Sequence, residues 1–521
     1  MCTVLYIKGI FLSTRGTDWL HVLRLNWLVS WKQPYLLLGN LNYGFRSNVI
    51  SGIISFATNT ITKIPKVQGG LLLKERLNYK QNILIGSLLF GLFFGAGNLI
   101  FPVKMGQAAG NNMPLATIGF LITGVGLPVL GIIASALSES ESLYDMGRPV
   151  SSIYSIVFTC LLYLTIGPLF AIPRTATVAF EVGMHPFIGE ENLKLGLFIF
   201  SFIFFALTLY FSLRPGRILD WVGRYLTPVF LVLLSILLIA TFVKPMGQIS
   251  PYPPQGDYIA KPLFTGLLDG YNTMDALASL AFAIIIISNI KKFGIKDSRS
   301  VAIETCKSGL VGVIGMAVIY ASLAYMGATS LGSLGSAENG GIILSMVSNH
   351  YFGSVGKVLL AAIVGIACLK TSIGLITSCS EMFSTMFPKT ISYKKYAVVF
   401  TIFSFIIANF GLNNIIQLSI PVLMFLYPLA ITLIVLSLLA PFIHKQRDIY
   451  KWTTGFTIVA AIPDFCKALP EAMQGNMVVK QIVKFSHLYL PGFDYGFGWI
   501  VPAFCGFLIG LIIWRVGGKK D

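Results

Sequence analysis

A chain of 521 residues that is 55% hydrophobic and only 11% charged, with a mean hydropathy of +0.77, has too few polar side chains to cover a water-facing surface. Lipid is the alternative solvent, so the composition predicts an all-α polytopic membrane protein and excludes an ordinary soluble domain. The net charge of +17 is not a nucleic-acid footprint, because the basic residues fall in short loops between apolar runs.

In chain order, residues 1–76 come first and differ from the rest. They are polar and basic, with only short apolar runs such as VISGIISFA, and MCTVLYIKGIFL lacks the features of a cleavable signal peptide. Two readings of this extension stand: a basic tail lying on anionic lipid, or an artefact of the assigned translation start. The second is favoured, although no methionine occurs between Met1 and Met105.

Twelve transmembrane helices are predicted beyond it, over 83–103, 115–137, 152–173, 193–213, 222–243, 263–290, 302–328, 355–383, 394–411, 415–441, 454–473 and 497–515. The first is interrupted by Gly95-Ala96-Gly97-Asn98, with Pro102 shortly after. A glycine costs about 1 kcal/mol in a helix interior relative to alanine, and the asparagine amide finds no partner in lipid. The sixth span, Pro262–Ile286, is broken in the same way by Asp269, Gly270, Asn272, Thr273 and Asp275.

The two interruptions open two sets of five helices. Paired breaks at corresponding places predict an inverted repeat, since five is odd and the second half must enter from the opposite side. The expected division is 77–250 for helices 1–5, 251–442 for helices 6–10, and 443–521 for helices 11–12 and a cytoplasmic C-terminus. Unwound backbone is tolerable in a membrane only around a cavity or ligand. The resumed half-helix offers free N–H groups to a carboxylate, and the preceding one offers free carbonyls to a cation or ammonium.

Orientation follows from the loops. With residue 80 cytoplasmic, the inside loops hold Arg148, Arg214, Arg217, Arg224, Lys291, Lys292, Lys296 and Arg299, among others, while the outside loops hold fewer basic residues. Both ends of the transport core are thus expected in the cytoplasm, with the protein in the cell membrane.

Three segments, LFFGAGNLIFP, DGYNTMDALASLAF and ACLKTSIGLITSCSEMF, resemble the hallmark segments of the branched-chain amino acid:cation symporter family, the system II carriers for leucine, isoleucine and valine. The resemblance covers about residues 77–515. It implies the five-plus-five inverted-repeat fold of the amino acid–polyamine–organocation superfamily, with broken helices 1 and 6. It also implies symport with Na⁺ or H⁺ by alternating access, without a cofactor.

Carried over by position, the resemblance assigns the substrate carboxylate to the backbone amides of Ala96, Gly97 and Asn98. It assigns the ammonium to carbonyls near Phe93 and Phe94 and around Asp269, Gly270 and Asn272. The Asn98 amide oxygen joins a cation site. A second cation site uses the carbonyls of Gly91, Phe94 and Cys368 and the hydroxyls of Thr371 and Ser372, an all-oxygen set suited to a hard ion.

Lys370 departs from that scheme. It lies mid-span, and an intramembrane charge is a functional hypothesis by default. It is read either as neutralising Asp275 or Asp269 in a structural role, or as an ammonium that competes with Na⁺ or carries the coupled proton. Arg174, near Glu181, is expected in an ion pair at the membrane surface rather than in a gate. Tyr163 is a candidate to face the substrate, and Tyr271 and Met274 are candidates for an apolar pocket around a branched side chain.

The five histidines show no metal-ligand spacing, and no nucleophile-and-base pair marks an enzyme. A channel would want a continuous polar stripe rather than two breaks. A symporter of the same superfold for another neutral amino acid is the main rival. The expected partners are leucine, isoleucine, valine and the bilayer, not nucleic acid, and the oligomeric state is left open.

Overall fold

The computed structural model describes residues 76–516, apart from 141, 185–186, 215–224, 250–251 and 296. The N-terminal extension lies outside the described residues, as do Arg217, Arg224 and Lys296, which were used above for orientation. The described chain is built of helices, and it is an all-α polytopic membrane fold.

Helix α1 (Tyr79–Phe93) opens on a capping box: Gln81 N–H donates to Asn78 Oδ1 at 2.8 Å, and Asn78 N–H to Gln81 Oε1 at 3.0 Å. It stops at Phe94 and Gly95, both extended (φ −72°, ψ 98° and φ −126°, ψ −157°), and α2 (Ala96–Ala109) resumes at once. Gly110, at φ +50°, ends α2 in a conformation that suits glycine. Helices α3 (Met113–Leu121) and α4 (Leu127–Leu137) are joined by a π-helical turn. Helices α5 (Ser152–Leu164) and α6 (Ala171–Gly183) are joined by another, where Gly167 is non-helical and Pro168 withholds an N–H.

Then come α7 (Leu193–Ser212), α8 (Thr227–Val243), α9 (Pro262–Tyr271) and α10 (Asp275–Lys292), the last two bent by 42° across their break. Long α11 (Ser298–Leu334) and α12 (Gly340–Met386) follow, α12 kinked at Gly353 (φ +55°). The described chain closes with α13 (Tyr393–Ala408), α14 (Leu412–Leu438), α15 (Arg447–Lys467), amphipathic α16 (Met477–Tyr489) and α17 (Ile500–Val516).

Among the described residues, six helices qualify as membrane spans by length and apolarity alone, seven when the bent pair α9–α10 is one, and α8 and α17 are shorter apolar helices. The difference from the twelve spans expected has a physical cause. Breaks split some apolar runs into pieces too short to qualify. Elsewhere helix runs on through kinks, as in the 42 residues of Ala96–Leu137 and the 47 of Gly340–Met386. At about 1.5 Å per residue such runs far exceed a ~30 Å hydrocarbon core.

Helices α1, α2, α10 and α12 are lined by α4, α6, α11 and α14 and form the interior. The outer face of α7 exposes Leu195, Phe198, Phe202 and Ile203, as a lipid-facing surface should.

Candidate functional site

The two helix breaks face each other, and one side chain ties them together. Asn98 stands in the first turn of α2. Its Oδ1 accepts the N–H of Gly95 at 2.9 Å, which satisfies a donor that the break leaves free. Its Nδ2 donates across to Asp275 Oδ2 and to the hydroxyl of Tyr320 on α11. Tyr320 in turn donates to Asp275 Oδ2 at 3.0 Å.

Asp275 is the first residue of α10, where a carboxylate complements the positive end of the helix. The chain reaches it through Met274 at φ +64°, a left-handed conformation rare for a non-glycine residue. The turn is held by Thr273, whose hydroxyl donates to Gly270 O at 2.9 Å and accepts Asp275 N–H at 3.3 Å.

Arg174 supplies the opposite charge. The sequence reading assigned it to a surface ion pair; the structure buries it, 3% exposed, on α6. Its Nη1 donates to Asn272 O at 2.8 Å, its Nη2 to Thr273 O at 3.4 Å, and its guanidinium lies 5.2 Å from the centre of the Phe101 ring. The kink at Gly167–Pro168 turns α6 inward, and the free carbonyls of the second break are the acceptors a buried guanidinium needs. A Cβ on Gly97 would lie 3.0 Å from Arg174 Nη2, so the start of α2 closes directly on this group.

Between the breaks lies a small cavity of about 30 Å³, lined by both half-helices. Its polar lining includes Asn98, Arg174, Thr175, Thr273, Asp275 and Thr371. Its apolar lining includes Leu92, Phe93, Ile166, Met274, Phe282 and Leu375.

Of the predicted site residues, Phe93, Ala96, Gly97, Asn98, Met274, Asp275 and Thr371 line this cavity. The others lie around it. Phe94 stacks on Phe90 with ring centres 5.1 Å apart. Tyr163 donates to Ala281 O at 3.5 Å, one turn and more beyond the second break. Tyr271 stacks on Tyr427 at 4.0 Å, Asp269 accepts the hydroxyl of Tyr258, and Gly270 packs against Thr123.

Asn272 contributes its carbonyl to Arg174 rather than to the cavity surface. Cys368 and Ser372 are buried on α12, and the Ser372 hydroxyl has no partner. Lys370 Nζ donates to Gly91 O at 3.1 Å. It does not pair with Asp275 or Asp269, and no carboxylate pairs with it among the described residues.

Sequence reasoning missed Arg174, Thr175 and Tyr320 as members of the site. For Arg174 the glycine–proline pair at 167–168 was the available signal, because it marks a third interrupted span. Tyr320 lies in an unbroken apolar helix and carries no local signal.

Comparisons with known proteins add to this geometry. The family profile described as "Branched-chain amino acid transport protein" matches residues 78–516. The branched-chain amino acid permease BrnQ of Lactobacillus delbrueckii subsp. lactis is 50% identical over 450 residues, which are 86% of this chain and 100% of that one. The branched-chain amino acid permease BraB of Bacillus subtilis (strain 168) is 43% identical, over 85% of this chain and 97% of that one. Among solved structures, a nucleobase-cation-symport-1 family transporter, Mhp1, in a closed conformation with bromovinylhydantoin bound, matches with a TM-score of 0.56 at 15% identity. That match covers 84% of this chain and 92% of the other, and the likeness is one of fold.

Proposed function

The chain belongs to the branched-chain amino acid transport protein family, and from that premise we propose that it imports leucine, isoleucine and valine by symport with Na⁺ or H⁺. The observation that carries this reading is the cavity. One buried guanidinium and one buried carboxylate face an otherwise largely apolar chamber, the complement of a zwitterion with an aliphatic side chain.

The substrate carboxylate is received by the N–H groups at the start of α2, with Arg174 beside them. The ammonium goes to Asp275. The Asn272 and Thr273 carbonyls are taken by Arg174 and so serve the ammonium only indirectly. Leu92, Phe93, Ile166, Met274, Phe282 and Leu375 surround the branched side chain.

The architecture proposed is twelve spans with a five-plus-five inverted repeat, both ends of the transport core being cytoplasmic. Each of the twelve predicted runs overlaps at least one helix. Helix contacts also recur under exchange of the halves. The first interrupted span packs on α11 as the second packs on α3 and α4; α6 packs on α13 as α12 packs on α7; and α12 touches α8 as α6 touches α14. Close approaches recur too: Gly86 on α1 abuts the Ser308 carbonyl on α11, and Gly266 on α9 abuts the Ala116 carbonyl on α3. Alternating access then needs one bundle to rock against the other around the breaks.

Counterflow of labelled leucine in proteoliposomes tests the function. Exchange against internal leucine, competed by isoleucine and valine and not by lysine or aspartate, is the expected result. Absence of exchange overturns the reading.

A further inference from the structure

The surroundings of Lys370 carry a chemistry that the substrate cavity does not use. We propose that the Lys370 ammonium is a tethered cation standing in for one coupling ion, so that each transported substrate brings one free cation fewer. The proposal rests on the symporter reading above and concerns the end of α1 rather than the cavity itself.

The last turn of α1 leaves carbonyls without helical partners, and it carries the negative end of the helix dipole. A cation is favoured there. Lys370 Nζ is placed at that end: it donates to Gly91 O at 3.1 Å, and lies 4.7, 5.5 and 5.7 Å from the ring centres of Phe230, Phe90 and Phe94. Lys370 itself is 0% exposed, and its stem comes from α12 while Phe230 stands on α8. One positive charge therefore holds three elements together.

The oxygens expected to hold a second metal ion do not fit one here. Gly91 O is bonded by the ammonium, and Phe94 O accepts Thr371 Oγ1 at 3.3 Å. Two like charges sharing one carbonyl repel each other. Aromatic faces attract an ammonium well, whereas a hard metal ion wants oxygen on every side. A box of one carbonyl and three phenyl rings therefore selects the side chain over the free ion. Replacing the ammonium by a hydroxyl restores the alternative, because it frees Gly91 O and adds an oxygen to the helix that already carries Thr371 and the unpartnered Ser372 hydroxyl.

The test uses the full chain in two measurements. In proteoliposomes, the ratio of ²²Na⁺ to labelled leucine taken up by the unaltered protein is expected to be one or less; a ratio of two overturns the proposal. In detergent without leucine, the Na⁺-induced rise in Tm is compared among the unaltered protein, Lys370→Thr and Lys370→Met. The rise is expected to be larger by several degrees in Lys370→Thr alone, since only threonine removes the charge and supplies an oxygen. An equal rise in all three overturns the proposal. Where Lys370→Thr does not fold, the uptake ratio of the unaltered protein decides. Failure of leucine counterflow together with a sodium shift confined to Lys370→Thr counts against the leucine reading and supports the tethered cation.

Discussion

Asn98 was expected to lend its oxygen to an ion, and in the structure that oxygen accepts the Gly95 N–H while the amide nitrogen spans to Asp275 and Tyr320. One side chain thus caps one half-helix and helps satisfy the first residue of the other. Removing a partner from a buried polar group costs about 1–3 kcal/mol, and more for a charged one. Asn98→Ala is therefore expected to lower Tm and weaken leucine binding at least tenfold, read by thermal melts and by equilibrium binding on the same sample. Arg174 is a second residue whose value lies in geometry. Arg174→Lys keeps the charge and loses the fork that reaches two adjacent carbonyls. Leucine uptake is expected to fall roughly ten- to hundredfold, while Arg174→Met, which also loses the charge, falls further.

At the scale of the element, the break between α9 and α10 is built on strain at Met274. A left-handed non-glycine residue costs about 1–2 kcal/mol, and the surrounding hydrogen bonds of Thr273 hold it in place. Met274→Ala loses the buried side chain and keeps the strain. Met274→Gly loses the same side chain and relieves it. The glycine variant is accordingly expected to melt higher than the alanine variant, the reverse of their usual order within helices. Equal or inverted melting points would mean that Met274 is not strained. Both variants should bind leucine less tightly than the parent, because Met274 lines the cavity. The first break works differently: Gly95 is extended, and the reason for glycine is space, since a Cβ would lie 2.7 Å from Thr371 Oγ1. The sequence reading saw both breaks because glycine and polar residues stand out in an apolar run. It could not tell strain from close approach.

For the whole molecule, the proposed five helices in each half, an odd number, would point the two breaks in opposite senses across the bilayer. The proposed orientation predicts that a reporter fused after residue 516 is protected from a membrane-impermeant reagent in intact cells. It also predicts that a cysteine placed at Gly335, between α11 and α12, is labelled from outside. The opposite pattern would invert the assignment.

Composition and hydropathy determined by themselves that the chain lives in lipid and that two of its apolar runs are broken, because those facts depend on solvation and local propensity. The tertiary structure alone decided which groups meet at the breaks. Arg174 reads as a surface charge until the kink after Leu164 turns it inward. Tyr320 is one tyrosine in an apolar helix until α11 packs against α2. The partner of Lys370 is a backbone carbonyl 279 residues away in sequence, and no side-chain pattern announces a carbonyl. A free carbonyl or N–H is created by the break itself, so its partner is chosen only when the helices pack.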